Sequence, residues 1–300
     1  MTVLVLGGSG FVGREVCRAL AARGRRVLSA ARGEHRTPGV RTVRLDLSSA
    51  DAVPQLTRLL DTEQPHAVVN CVGSIWGRTD AEMVPSIVTP TRHLLTALAA
   101  AAPRPRLVHL GSVLEYGPVP AGTTAREPAR PDSAYGRAKL AATRAVLTAH
   151  AAGDVDALVL RVANVAGPGT PTVSLLGQVA ARLMAQRPRP ATDIELSPLR
   201  AHRDYVDVRD VADAVVRATD PAVPATGAVV DIGRGEAVPV RELVGLLIAV
   251  SGVPARVTER GAPGPADWMR IDPTPAADLL GWHPRHSLED AVRAYWQSLA

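Results

Sequence analysis

At 300 residues, 46% hydrophobic and 21% charged, the chain has the composition of a globular protein with a sizeable core, in one large domain or a domain with a smaller lobe. No apolar run approaches the roughly 20 residues of a membrane span, no zinc-ligand spacing occurs, and a strand pattern starting at Thr2 leaves no signal peptide, so a cytoplasmic protein without membrane contact is expected. The net charge of +5 comes from scattered arginines with only 3% aromatic residues, which argues against nucleic-acid binding and suits an anionic small-molecule substrate.

In chain order, the hydrophobic periodicity predicts a strand over 2–6, a helix over 14–23, strands over 26–31 and 40–45, a helix over 50–60 and a strand over 67–71. An Ala/Leu-rich helix over 91–101, a strand over 107–110, a helix over 134–150 and a strand over 157–162 follow. Strands alternating with helices predict an α/β protein with a doubly wound parallel sheet. Beyond Gly167 the pattern loosens, with helices over 173–184, 208–218, 240–251 and 288–299, a strand over 228–232 and an irregular Pro-rich stretch over 187–200. The expected division is a dinucleotide-binding domain over 1–165, to which 203–232 returns, and a smaller C-terminal α/β substrate lobe from 166–202 and 233–300. Cys17 and Cys71 fall on core positions and read as reduced packing residues.

The first strand runs into Gly7-Gly8-Ser9-Gly10-Phe11-Val12-Gly13 and then a helix. Glycines at this junction permit a tight turn and close backbone approach to a pyrophosphate, and the helix N-terminus offers donors. The string is weak alone and strong between a first strand and an amphipathic helix. An NAD-selective site carries an acid at the end of the second strand. Here Ala31 and Arg32 stand there, with Glu34 further along the loop. A guanidinium suits a ribose 2′-phosphate, so the expected cofactor is NADP(H), with Arg32 on the phosphate; the bland alternative is a solvated surface arginine. Asp46 and Leu47, after the third strand, are placed to meet the adenine.

Of 34 Lys plus Arg only Lys139 is a lysine, and it lies four positions after Tyr135, on the same helix face. An ammonium beside a phenol favours the phenolate and brings tyrosine toward acid–base work at neutral pH. Ser112 ends the preceding strand, where its hydroxyl can bond a reacting carbonyl oxygen; without the tyrosine it would read equally well as a cap.

With these residues assembled, the chain resembles the extended short-chain dehydrogenase/reductase family of NAD(P)-dependent epimerases, dehydratases and reductases of nucleotide sugars, a Rossmann fold. Besides the motifs above, the resemblance runs through Asn70-Cys71-Val72-Gly73, Gly111-Ser112 to Tyr116-Gly117, Arg161 to Gly169, Arg203 to Val208, Asp231 to Gly235 and Leu280-Gly281-Trp282. It implies that Tyr135 is the acid/base, that Lys139 holds the nicotinamide ribose, and that Ser112 polarises the substrate oxygen. It also implies that Cys71, Val72 and Gly73 border the cofactor, that Val113 and Leu114 border the substrate, and that Asn164 and Arg203 contact the diphosphate of a nucleotide-sugar partner. A structural ion pair of Arg203 with Asp204 or Asp207 is the alternative. A homodimer through the 91–101 and 134–150 helices is the family expectation.

Departures narrow the activity. Sugar 4,6-dehydratases carry Asp-Glu directly after the Ser/Thr, where this chain has Val113-Leu114, so dehydration is rejected. The string Gly111 to Gly117 is similar to that of 4-keto-6-deoxyhexose 4-ketoreductases. The family's Arg-Pro-x-Asp string is replaced by Ala262-Pro263-Gly264-Pro265, leaving Arg260 or Arg270 to compensate. The expected activity is NADPH-dependent reduction of a nucleoside-diphosphate 4-keto-deoxyhexose in deoxysugar or natural-product biosynthesis. An NAD-dependent sugar epimerase, a ketoreductase of a non-sugar carbonyl and a non-catalytic dinucleotide sensor stand as alternatives.

Overall fold

Strand β1 (Thr2–Leu6) has no solvent face: Val3, Leu4 and Val5 are fully buried, as continuous Val/Leu strands are in the middle of a parallel sheet. The computed structural model describes residues 1–33, 35–73, 76–185, 192–223, 227–262 and 267–299. After β1 come α1 (Phe11–Ala22), β2 (Arg26–Ala31), β3 (Arg41–Arg44), α2 (Ala52–Glu63), β4 (Ala67–Asn70) and α3 (Asp80–Ala99). Next are β5 (Arg106–Ser112), a 3-10 turn (Val113–Glu115), α4 (Ala134–Ala151), β6 (Asp156–Val162), β7 (Asn164–Ala166), α5 (Leu175–Ala185) and β8 (Thr192–Leu196). The chain continues with β9 (His202–Arg203), β10 (Tyr205–Asp207), α6 (Val208–Ala218), β11 (Val229–Ile232), β12 (Val238–Pro239) and α7 (Val240–Ser251). It closes with β13 (Ala255–Glu259), α8 (Thr274–Leu280) and α9 (Leu288–Gln297).

Seven strands form one parallel sheet in the order β11-β6-β5-β4-β1-β2-β3. The winding reverses between β1 and β4, the switch point outside whose strand ends such sheets take their ligands. Alternate residues of the strands feed two cores. Val3, Val5 and Val108 pack with Val16 and Leu20 of α1 and Val211 and Val215 of α6. Leu4, Leu6 and Leu107 pack with Leu56 of α2, Leu94 of α3 and Val146 of α4. A third core joins Val179 and Leu183 of α5 to Leu247 of α7 and Val292 and Tyr295 of α9. Among the described residues no helix is long and apolar enough to cross a membrane.

Three differences from the sequence expectation are informative. Helix α3 starts at Asp80 rather than at Thr91 and runs through Pro85 and Pro90. An interior proline costs ~3 kcal/mol. The turns it would break carry Met83, Ile87 and Val88 onto Ala138 and Ala142 of α4, worth ~1.5–3 kcal/mol for each large side chain. A capping box between Thr79 and Glu82 starts the helix. Second, the stretch expected to be irregular contains β8, which pairs in parallel with the equally unexpected β13, Ala255 opposite Thr192. Partners so far apart in sequence leave no local signal. Third, α8 ends at Gly281, in the left-handed region at φ +58, and delivers Trp282 fully buried with Nε1 donating to the Asp210 carbonyl at 3.0 Å.

Candidate active site

The turn after β1 is built by the absence of side chains. Gly7 takes φ +78, where only glycine is unstrained. A Cβ on Gly13 would lie 2.2 Å from the Gly7 carbonyl oxygen, and one on Gly8 1.9 Å from Ser29 Oγ. Gly13 thus lets α1 press against the loop, and Gly8 lets the loop press against β2. Helix α1 has no side-chain cap and no acid in its first turn, so its free N–H groups and positive dipole end meet no protein anion. Gly13→Ala is expected to abolish saturable dinucleotide binding in a fluorescence titration. Gly33→Ala, where a side chain meets open space, should leave it intact.

The loop opens on a cavity of about 550 Å³ at the C-terminal ends of the central strands. Of the residues expected to meet the cofactor, Gly7, Gly10, Phe11, Val12, Gly13, Arg32, Asp46, Leu47, Cys71, Val72, Gly73 and Tyr135 all line it, and Lys139 does not. Asp46 is held by the Ser48 N–H at 2.9 Å, and the Leu47 carbonyl accepts from His93 Nδ1 at 2.8 Å. Arg32 is exposed at the cavity, whereas Glu34 lies outside the described residues. Sequence reasoning missed His35, whose Nε2 meets Ser29 Oγ at 2.6 Å and ties the chain beyond Arg32 back to β2. Cys17 is buried, but Cys71 is half-buried and contributes to the cavity wall as well as to packing.

The candidate reactive residues are brought together by the contact of α4 with the turn after β5. Ser133 caps α4, accepting from the Gly136 N–H at 3.0 Å. A Cβ on Gly136 would lie 2.3 Å from the Leu114 carbonyl oxygen, so the helix start sits directly on the turn. This sets Tyr135 beside Ser112, which favours its phenolate, and Ser112 Oγ accepts from the Leu114 N–H at 3.2 Å. Lys139 is buried one helical turn further on and donates from Nζ to the Leu110 carbonyl.

The electrostatics differ from the sequence expectation. Loss of hydration around the phenol, reinforced by the charge of Glu115, pushes Tyr135 up to about 12, against the opposing effect of Ser112. Burial lowers the Lys139 pKa, while Glu115 and Cys71 pull it back up. The expected depression of Tyr135 by Lys139 is not seen: burial and the charge of Glu115 dominate, and the ammonium is turned onto the Leu110 carbonyl.

That carboxylate was not singled out from the sequence. Glu115 is fully buried, accepts from the Ser112 N–H and Thr143 Oγ1, and pairs with Arg161 Nε at 2.9 Å. Arg161 also pairs with Glu127 at 2.5 Å and lies 4.5 Å from the Tyr116 ring centroid. The Tyr116 hydroxyl donates to Asp231, which burial pushes up to about 7. The available signal was the Ser112-x-x-Glu115 spacing, a capping box in the structure, but such boxes usually mean only a helix start.

On the substrate side, Val113, Leu114 and Asn164 line the cavity, and Asn164 Nδ2 donates to the Asp204 carbonyl at 3.2 Å. Arg203 does not line it. It pairs with Asp267, and neither Asp204 nor Asp207 takes it. Asp204 instead accepts the backbone N–H groups of Arg234 and Gly235, each at 2.8 Å, and Asp207 pairs with Arg209 at 2.6 Å. Pro263, Gly264 and Pro265 lie outside the described residues; Arg260 pairs with Glu195 at 3.1 Å, and Arg270 bonds Thr124 Oγ1 at 2.9 Å. Trp76, Arg78 and Ser86 complete this wall and were not foreseen as lining residues.

Comparison with known proteins places this cavity in context. Residues 3–233 match the sequence signature described as the NAD dependent epimerase/dehydratase family. The chain is 48% identical to a dTDP-6-deoxy-L-talose 4-dehydrogenase (NAD(P)(+)) from Kitasatospora kifunensis, over 98% of this chain and 94% of the relative. It is 32% identical to a UDP-glucose 4-epimerase from Azospirillum brasilense, over 97% and 89%. The solved structure of MoeE5 in complex with UDP-glucuronic acid and NAD superposes with a TM-score of 0.85 at 26% identity, covering 100% of this chain and 99% of that one.

Proposed function

Because the chain belongs to the NAD dependent epimerase/dehydratase family, we propose that it is an NAD(P)-dependent oxidoreductase of nucleotide sugars. Its reaction is the interconversion of a ketone and an alcohol at C4 of a nucleoside-diphosphate 6-deoxyhexose. A 4-dehydrogenase and a 4-ketoreductase run one reaction in opposite directions, so the named activity of the Kitasatospora relative supports the same chemistry read toward reduction with NADPH. The observation that carries the reading is the Tyr135–Ser112 contact on the wall of the cavity that the glycine loop also lines.

The residues present fit a dinucleotide. Gly7 and Gly13 leave the room that a diphosphate backbone needs, and the uncapped α1 N-terminus supplies donors for it. Among the described residues no acid pairs with Arg32, which is exposed at the cavity and can meet a 2′-phosphate. When bound, a reduced nicotinamide would supply the hydride for the carbonyl carbon. The protein's own part is to deliver the proton: Tyr135, pushed up to about 12, keeps its phenolic proton at neutral pH and gives it to the developing alkoxide. Ser112 bonds the same oxygen and fixes its position. Lys139 lies buried behind them, outside the cavity lining, with Nζ on the Leu110 carbonyl. Val113 and Leu114 offer no acid for eliminating water, which argues against dehydration. The same reading includes a cytoplasmic homodimer through the outer faces of α3 and α4, where Val84 is 54% exposed.

The test is turnover. Purified protein with NADPH and a panel of nucleotide 4-keto-6-deoxyhexoses is expected to consume the nicotinamide absorbance. Absence of consumption across the panel, together with NAD that co-purifies and interconverts sugar epimers without net turnover, would replace this function with epimerisation. Arg32→Ala is expected to raise the KM for NADPH roughly 10- to 150-fold, the worth of ~1.5–3 kcal/mol for a charge-assisted contact, with little effect on NADH. Equal changes for both cofactors would remove Arg32 from 2′-phosphate recognition.

A further inference from the structure

Tyr135, Ser112 and Lys139 account for the chemistry by contact, yet none of them explains why a carboxylate is buried behind them. Burying a charge costs several kcal/mol unless its partners are well matched, and for Glu115 they are. Oε1 accepts from the Ser112 N–H at 2.8 Å and from Thr143 Oγ1 at 3.0 Å, and Oε2 accepts from Arg161 Nε at 2.9 Å. Two glycines make the room: a Cβ on Gly111 would lie 2.7 Å from Oε1, and Gly136 admits α4 onto the turn.

We propose that Glu115 is a positioning residue for the reaction, clamping the Ser112 backbone and holding a fixed negative charge behind Tyr135 and Lys139. The geometry joins the two tasks, since the residue that fixes the serine also stands beside the acid. Its charge strengthens the hold of both groups on their protons: it adds to the burial that pushes Tyr135 up and opposes the burial that lowers Lys139. The proton donor is held toward its protonated form and the amine behind it toward its charged form.

The other groups around the pair do not supply this charge. Arg161 on β6 is the counter-ion of Glu115, and Glu127 from the connecting loop is partly exposed on its far side. Asp231 on β11 answers to Tyr116 and adds negative charge only above about pH 7. After β4 the Cys71 thiol is pushed up by burial, and on β5 His109 is pushed well down by burial and Lys139, so both are neutral at neutral pH.

The direction of the effect follows. Reduction needs a protonated Tyr135, so activity falls as pH rises through the Tyr135 pKa. Glu115→Gln keeps the shape and an acceptor for Ser112 but removes the charge, so Tyr135 releases its proton at lower pH. A neighbouring charge moves a pKa by about 1–3 units. The falling limb of kcat against pH should therefore move down by about one pH unit or more. Glu115→Asp, which withdraws the charge by one methylene, should shift it in the same direction by less, and serves if the Gln variant does not fold.

The kinetic arm rests on the proposed function; a second arm does not. Protein labelled with fluorotyrosine has four sites, Tyr116, Tyr135, Tyr205 and Tyr295, and Tyr135→Phe identifies the Tyr135 resonance by fluorine NMR. That resonance should titrate at lower pH in the Gln and Asp variants than in the parent. An unchanged titration with an unchanged limb overturns the role of Glu115, whatever happens to kcat. A parent that reduces no nucleotide keto-sugar overturns the proposed function and leaves the resonance to decide on Glu115.

Discussion

Tyr135→Phe is expected to lower turnover about 10²–10⁴-fold, the usual worth of a positioned proton donor, while leaving dinucleotide affinity within a few-fold of the parent. The ring still fills the cavity wall, and only the hydroxyl that meets Ser112 is lost. A larger enzyme effect without loss of binding is the signature of a group used in the transition state. The measurement is kcat with the best keto-sugar beside a dissociation constant for NADPH from fluorescence. Full activity in this variant would remove Tyr135 from the mechanism and leave Ser112 without a partner in proton transfer.

The second large effect concerns stability. Arg161→Ala is expected to cost ~3–5 kcal/mol in a denaturant titration, the loss seen when one member of a buried pair is removed. Glu115 is fully buried and Arg161 is its charged partner, with side-chain exposures of 0% and 2%. Adding Glu115→Gln to Arg161→Ala should recover part of the loss, because the stranded charge is then gone. Lysine at 161 should not substitute fully, since a single ammonium cannot meet Glu115 and Glu127 while stacking on Tyr116 as the guanidinium does. A cost below ~1 kcal/mol for Arg161→Ala would mean that water reaches Glu115, and that its charge is too screened to act on Tyr135.

These two expectations sit on opposite sides of what could be read early. Tyr135 was legible because the chemistry needs a tyrosine and a lysine on one helix face, and α4 begins at Ala134 as the Ser133 cap dictates. The glycine loop was legible because its residue types follow from backbone crowding, seen now at Gly7 and Gly13. The pairing of Glu115 with Arg161 was not, because a buried ion pair joins residues of β6 and of the turn after β5, and the strings that contain them mark neither as the other's partner. Arg203 shows the same difficulty in reverse. It fits a phosphate contact by type, but its pairing with Asp267 depends on two segments that only folding brings together.

From the sequence alone came the doubly wound sheet and the dinucleotide loop, and with them the candidate set of Tyr135, Lys139 and Ser112, each encoded by a short periodicity or a few spaced residues. The tertiary structure decided the rest. It carried α3 through two prolines by packing Met83, Ile87 and Val88 against α4, and it paired β8 with β13. It turned the Lys139 ammonium onto the Leu110 carbonyl and set a buried carboxylate behind the phenol. Proton affinity in a protein interior is a sum over neighbours from several elements. The proposed acid could therefore be named from one helix, while its tendency to hold a proton depended on the assembled fold.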